Sequence, residues 1–229
     1  MSILAIIPAR GGSVGLKNKN MHTLNRRPLI FYTIQAAKKS KLIDRIIVTS
    51  DSTKILNFSK KNLVEVVKRP KKISGSKSTT HQAIMHCLNY LKKKENYIPD
   101  IILILQPTSP LRNSNHISSA IKIFLKNKKA TSLVSCIKVP HNFHPVSIMK
   151  ENNKGYLINF LKGRKMIFRR QDKSLVFARN GAAIYIVKHS HINKFLFGGR
   201  IIKFLMNEES SIDIDSLEDI KKAEIALKK

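Results

Sequence analysis

The strongest constraint in this chain is the recurrence of short, wholly apolar runs separated by segments of helical period. Ile3-Leu4-Ala5-Ile6-Ile7 and Ile101-Ile102-Leu103-Ile104-Leu105 carry no polar residue, and Arg45-Ile46-Ile47-Val48-Thr49 is apolar at its centre. A strand of this kind has no face to offer water, so other elements must cover both sides of it. Residues 64–67, 132–139 and 182–187 read as further strands, and 212–215 as an alternating strand end. Between them the period changes. Pro28 opens a helix with Leu29, Ile30, Ile34 and Ala37 on one face, and Asp51 or Ser52 can cap the next. A third apolar stripe runs through Ala83, Ile84, Cys87, Leu88 and Leu91, and a fourth through Ile117, Ala120, Ile121, Phe124 and Leu125. The last helix starts near Ser216, with Asp219 as capping partner, and is expected to bury Leu217, Ile220, Ala223 and Leu227. Strands and helices alternating in this way predict an α/β fold with a mainly parallel, doubly wound sheet.

Residues 140–170 depart from the rhythm. Their strand patterns are weak and are broken by Asn152, Asn153 and Gly155, which predicts an arm inserted into one domain spanning 1–229. No apolar run reaches the roughly 18 residues of a membrane span. Met1-Ser2-Ile3-Leu4-Ala5 lacks a basic leader and its apolar stretch ends at Pro8, so a cytoplasmic protein without membrane contact is expected. Cys87 and Cys136 lie in apolar segments without metal or redox spacing, which predicts buried, reduced thiols. The formal net charge of +29 raises nucleic-acid binding as a reading from another class. The lysines, however, fall in pairs along the whole chain, as at Lys38-Lys39, Lys60-Lys61, Lys71-Lys72 and Lys128-Lys129. Several pairs end predicted helices, where cations suit the helix dipole. That distribution favours a solvated lysine-rich surface over a nucleic-acid face.

Chemistry concentrates where strands end, since open α/β sheets bind ligands beyond their strands' carboxyl ends. Pro8-Ala9-Arg10-Gly11-Gly12-Ser13-Val14-Gly15-Leu16-Lys17-Asn18-Lys19-Asn20 combines glycines with three cations. It can cradle a triphosphate, because glycine lets backbone N–H groups approach an anion. It lacks the spacing of a P-loop or a dinucleotide fingerprint, and a plain basic loop remains the alternative. Asp213 and Asp215 stand two apart in an extended segment, which puts both carboxylates on one side between Ile212 and Ile214. Like charges so placed repel unless a cation joins them, and Mg²⁺ suits two carboxylates plus phosphates. The alternative is that Asp215 caps the last helix. Gln106, Thr108, Ser109 and Arg112 form a proline-stiffened loop able to hydrogen-bond a polar ligand, and Arg170, Gln171, Asn180 and Gly181 form a second polar cluster. The histidines make no metal set, and no nucleophile–base pair stands out.

Taken in order, these segments resemble the acylneuraminate cytidylyltransferases, or CMP-sialic acid synthetases. The matching residues are Ile7-Pro8-Ala9-Arg10-Gly11-Gly12-Ser13, Lys19-Asn20, Pro28-Leu29-Ile30, Asp44-Arg45-Ile46-Ile47-Val48, Arg69-Pro70, Leu105-Gln106-Pro107-Thr108-Ser109-Pro110-Leu111-Arg112, Arg170-Gln171, Asn180-Gly181-Ala182 and Ser211-Ile212-Asp213-Ile214-Asp215. The resemblance implies a Rossmann-like nucleotidyltransferase fold and a homodimer, with the 140–170 arm reaching toward the partner. It implies CTP and a nonulosonic acid as substrates. By motif position, Arg10, Gly11, Gly12, Ser13, Lys19 and Asn20 would hold the triphosphate and Arg69 the cytidine. Gln106, Arg170, Asn180, Gly181, Tyr185 and Phe197 would line the sugar-acid side. Asp213 and Asp215 would bind Mg²⁺, and with Arg10 and Lys19 they would carry catalysis. Three departures stand out: Val14 where the family usually has lysine, which Lys17 could replace, no acidic residue near Ser76, and an extra alanine, Ala183. An eight-carbon sugar acid is the nearest rival substrate.

Overall fold

The computed structural model describes residues 1–12, 15–161, 163, 167, 169–181 and 183–228. Its central sheet is built from β1 (Ile3–Pro8), β2 (Arg45–Ser50), β3 (Glu65–Lys68), β4 (Ile101–Ile104), β5 (Ser132–Lys138), β6 (Phe177–Arg179), β7 (Tyr185–Lys188) and β8 (Ile201–Leu205). The helices are α1 (Leu29–Lys39), α2 (Thr53–Lys61), α3 (Thr80–Glu95), α4 (Ser114–Lys126), the short α5 (His189–Ile192) and α6 (Leu217–Ala226). β3, β2, β1 and β4 lie side by side and parallel. β7 runs antiparallel between β4 and β5, and β8 joins the far edge of β5 in parallel. The sheet is therefore mainly parallel, as its unbroken apolar strands require.

The two-sided burial is explicit in β1. Ile3, Ala5 and Ile7 pack with Ile30 and Ile34 of α1 and with Ile117 and Phe124 of α4. Leu4 and Ile6 point the other way, against Ile84, Leu88 and Leu91 of α3. β4 divides likewise, with Leu103 in the first layer and Ile102 and Ile104 in the second. Cys87 and Cys136 are free and buried, as expected. Among the described residues, no helix is long and apolar enough to cross a membrane.

Not every expectation holds. Residues 212–215 are not a strand: the segment lies outside the sheet and is tied to it by Ile214 N–H donating to Thr108 O at 2.8 Å. Leu217 is 57% exposed, because α6 turns Ile220 and Ala223, not its first residue, onto Leu24, Leu29 and Ile214. The cap of α6 is Ser216, as expected, its hydroxyl accepting from Asp219 N–H and the Asp219 side chain accepting from Ser216 N–H. Ser52 stands at the start of α2 without a side-chain cap bond. The expected arm contains a separate hairpin, with Met149–Glu151 paired to Leu157–Asn159, and its Tyr156, Leu157 and Phe160 side chains lie exposed.

Ser216→Ala should therefore lower stability by about 1 kcal/mol, read as a shifted urea midpoint, while Asp215→Ala shifts the midpoint less. The reverse ranking would return the cap to Asp215.

Candidate active site

The parallel register brings the ends of β1, β2, β3 and β4 to one edge of the sheet, where a cavity of about 360 Å³ opens. Its wall includes Arg10, Lys19, Asn20, Arg69, Gln106, Asp213 and Asp215, together with Ser76, Ser78, Thr79 and Thr80. Arg10 follows β1 and donates to Gly75 O at 3.1 Å. Asn20, almost fully buried, donates its amide to Arg10 O at 2.8 Å and so fixes the loop's path. Arg69 follows β3; it is 6% exposed, and its Nε and Nη2 have no hydrogen-bond partner among the described residues. Its nearest counter-charge, Asp51 Oδ1, stands 3.8 Å away. Burial pushes the Arg69 pKa down, Asp51 opposes that shift and Arg10 adds to it. A buried, under-satisfied guanidinium on a cavity wall is suited to a polar or anionic ligand. The first turn of α3 also reaches this wall through Thr79 and Thr80, and a helix N-terminus favours negative charge.

Asp213 and Asp215 flank fully buried Ile214, and both side chains reach the cavity. Both acids line one cavity although the segment that carries them is not a strand. Lys19 Nζ donates to Asp215 Oδ1 at 2.5 Å, and Ser109 Oγ donates to Asp213 Oδ1 at 3.4 Å. Burial pushes the Asp213 carboxyl above its ordinary range; the Thr108 and Ser109 hydroxyls and Lys19 oppose this, and Asp215 reinforces it. Two hard-oxygen donors facing a cationic cleft fit a divalent cation that takes its remaining ligands from phosphates and water. Among the described residues, no cluster of three or more acidic, histidine or cysteine side chains offers a fuller cage.

A second cavity of about 380 Å³ adjoins the first and shares Gln106 and Thr80 with it. Gly181, Tyr185, Leu196, Phe197 and Arg179 complete its wall. The backbone explains their meeting. Arg179 pairs with Cys136 and Tyr185 with Val134, so the residues between them bulge out of the antiparallel edge of β5. Because Tyr185 also pairs with Ile104, that bulge lies beside the Gln106 loop. Gly181 has a φ of +68°, and a Cβ there would stand 2.6 Å from Asp213 Oδ2, so glycine is required both by conformation and by space. Tyr185 donates to Gly181 O at 2.7 Å, and its ring packs 5.0 Å from that of Phe197.

The other residues singled out in the sequence divide. Asn180 is buried behind the wall, bonded to Ser211 Oγ at 2.8 Å. Gly11 N–H donates to Asp51 Oδ1 at 2.9 Å and not toward the cavity, and Gly12 does not line it. Ser13, Val14 and Ala182 lie outside the described residues. Lys17 is exposed and absent from the wall. Arg170 belongs to a different cavity, at the base of the arm, with His141, His144, Lys173 and Glu208. Ser109 and Arg112 turn inward and are buried, so they do not meet a ligand directly. Arg179 was missed by the sequence reading. Its guanidinium donates to Tyr185 Oη at 3.2 Å and lies 4.5 Å from the Phe197 ring centre. The available signal was a cation immediately before Asn180-Gly181.

A mainly parallel α/β sheet whose carboxyl edge joins a cationic cleft to an acid pair defines a nucleotidyltransferase-type protein. The chain belongs to the cytidylyltransferase family, which it matches over residues 4–223. It is 33% identical to the N-acylneuraminate cytidylyltransferase of Escherichia coli O18:K1:H7, over 96% of this chain and 51% of that protein. The chain thus spans about half the length of that relative. It is 30% identical to the CMP-N,N'-diacetyllegionaminic acid synthase of Legionella pneumophila, over 94% of this chain and 92% of that one. In fold it is similar to a CMP:2-keto-3-deoxy-manno-octonic acid synthetase solved with CTP, with a TM-score of 0.72, 13% identity, and coverage of 100% of this chain and 99% of that one.

The upward shift at Asp213 has a stability consequence. A carboxyl that holds its proton more tightly when folded weakens the fold as pH rises through and beyond the ordinary carboxylate range. Asp213→Asn should therefore raise Tm at neutral pH without divalent cation, and the gain should shrink as pH falls toward about 4. A lower Tm for the variant at neutral pH would mean that the carboxylate stabilises the fold.

Proposed function

We propose that the chain transfers CMP from CTP to the anomeric hydroxyl of a sialic-acid-type nonulosonic acid, releasing pyrophosphate. The carrying observation is the pair of adjoining cavities that share Gln106 and Thr80, one cationic with the acid pair on its wall, the other aromatic with Arg179 at its side. The first suits a nucleoside triphosphate. Arg10 and Lys19 would hold the phosphates and neutralise the leaving pyrophosphate, and Asn20 would keep Arg10's loop in place. Arg69, fixed and under-satisfied, would meet the cytidine. The second cavity suits a sugar acid: Arg179 would face its carboxylate, Tyr185 and Phe197 its apolar surface, and Gln106 would stand at the junction where the new bond forms. The acceptor hydroxyl attacks the α-phosphorus as the bond to the bridging oxygen of pyrophosphate breaks. Phosphoryl-type transfer of this sort depends mainly on positioning and charge neutralisation. Asp213 and Asp215 would hold Mg²⁺, which when bound supplies further neutralisation at the phosphates.

The similarity to relatives named for N-acylneuraminic and N,N'-diacetyllegionaminic acids supports a nine-carbon acceptor over an eight-carbon one. The arm would pair two copies of the chain, covering Tyr156, Leu157 and Phe160, and would carry Arg170 with it. Nucleic-acid binding is disfavoured by the spread of lysines along the whole chain.

Product mass spectrometry with CTP and a panel of sialic, legionaminic, pseudaminic and eight-carbon acids tests the reading. A CMP-linked nine-carbon product is expected, and an exclusive eight-carbon product would overturn it. CTP should exceed ATP, GTP and UTP in kcat/KM. Arg10→Ala should lower kcat/KM by about 10- to 100-fold, the worth of a charged hydrogen bond. A folded variant with unchanged kcat/KM would remove Arg10 from the site. Light scattering should give a dimer mass, and Leu157→Asp should shift it toward the monomer.

A further inference from the structure

Arg112 is the largest fully buried side chain among the described residues, 1% exposed, and the chemistry above does not use it. Its Nη1 donates to two carbonyls, Gln106 O at 3.1 Å and Ala183 O at 2.8 Å. Its Nη2 donates to Thr33 Oγ1 of α1. The two carbonyls belong to segments with no ladder of their own at this point. β4 and β7 pair from Ile101↔Lys188 as far as Ile104↔Tyr185, and beyond that pair the chains part, one into the Gln106 loop and the other into the bulge that carries Gly181. Both segments form the wall of the acceptor cavity. A single guanidinium nitrogen therefore takes the place of the missing ladder bonds, and Thr33 anchors it to a helix of the core.

Burying a cation is costly, the more so here because the Arg112 Nε has no partner among the described residues, and a fold that needed only packing would be served by an apolar side chain. The planar fork suits a different demand, since it can hold two carbonyls and a hydroxyl at fixed relative positions, which a lysine ammonium cannot reproduce. We infer that Arg112 is a positioning residue for the acceptor: by bridging the Gln106 loop to the Gly181 bulge, it sets the width of the sugar-acid cavity and its alignment with the nucleotide. The inference rests on the functional reading above for its kinetic consequence, and on the geometry alone for its effect on the two segments.

The test compares wild type, Arg112→Lys, Arg112→Ala and Thr33→Val. Arg112→Lys keeps the charge and loses the fork; Thr33→Val keeps the shape and removes the anchor on Arg112 together with the 3.4 Å bond from Thr33 Oγ1 to Gln106 O, and it serves where the arginine variant folds poorly. Acceptor KM should rise about 10- to 100-fold in Arg112→Lys, with a smaller rise in the same direction in Thr33→Val. The Kd for CTP, measured by calorimetry without acceptor, should stay within about twofold, because the nucleotide cavity's cations are untouched. In Arg112→Ala, guanidinium ion at millimolar concentration should lower the acceptor KM again, whereas sodium at equal ionic strength should not. Amide hydrogen exchange supplies a readout that needs no acceptor. Both arginine variants should exchange faster at Gln106, Thr108, Gly181, Ala183 and Ile184, with the β1 and β2 amides unchanged. Acceptor KM and CTP Kd moving together, or exchange rising across the whole sheet, would reduce Arg112 to a general structural role. A wild type inactive on every acid of the panel would instead overturn the functional reading, and the exchange experiment would still decide the bridge.

Discussion

β1 pairs on one side with β2 and on the other with β4, all three parallel, and every later feature depends on that arrangement. Parallel strands end together. The loops after β1, β2, β3 and β4 must then leave the sheet at one edge, so Arg10, Asp51, Arg69 and Gln106 become neighbours although they are far apart in sequence. The apolar content of β1 and β4 makes the pairing obligatory, because strands without a polar face have stable positions only inside a covered sheet. Helices on both faces supply the cover, and the edge remains the open part of the molecule.

At that edge the chain gathers charge that it leaves incompletely compensated. Arg69 is buried beside a carboxylate 3.8 Å away, too distant for a hydrogen bond. Asp213 is half-buried and close enough to Asp215 for the second carboxylate to raise its pKa further, and Lys19 bonds only the outer member of the pair. A structure optimised only for stability would pair or expose such groups. Their retention on the wall of a cavity agrees with a ligand that supplies phosphate to the cations and a metal ion to the acids.

β7, antiparallel to both of its neighbours, gives the edge its second half. It enters at the end where its parallel neighbours leave, so the bulge before it lies over the same opening. Gly181 fits there because it has no side chain to strike Asp213. The metal-suited acid and the acceptor cavity are thereby held in contact by backbone geometry, with Arg112 bracing the join from beneath.

Much of this was legible in the amino-acid sequence, for a reason that is local. The strands and helices follow from apolar period, the capping box of Ser216 and Asp219 from residue type, and the acid pair from a spacing of two. Arg10, Lys19, Asn20, Arg69 and Gln106 could be marked because they leave strand ends. What the sequence could not decide depends on register and burial, which are set by partners distant along the chain. The 212–215 segment has a strand's pattern, yet it pairs with no strand and is held by Ile214 N–H donating to the Thr108 carbonyl. Arg112 and Arg179 look alike as exposed-type cations; one is drawn under the sheet by three acceptors, and the other stands over Phe197 facing a cavity. Arg170 carries the motif of a substrate-side residue, yet the arm takes it to another cavity. The sequence by itself determined the elements and the chemical types at their ends. Tertiary structure decided which of those ends meet, because only the pairing of β4 with β7 brings the Gln106 loop and the Gly181 bulge together around one opening.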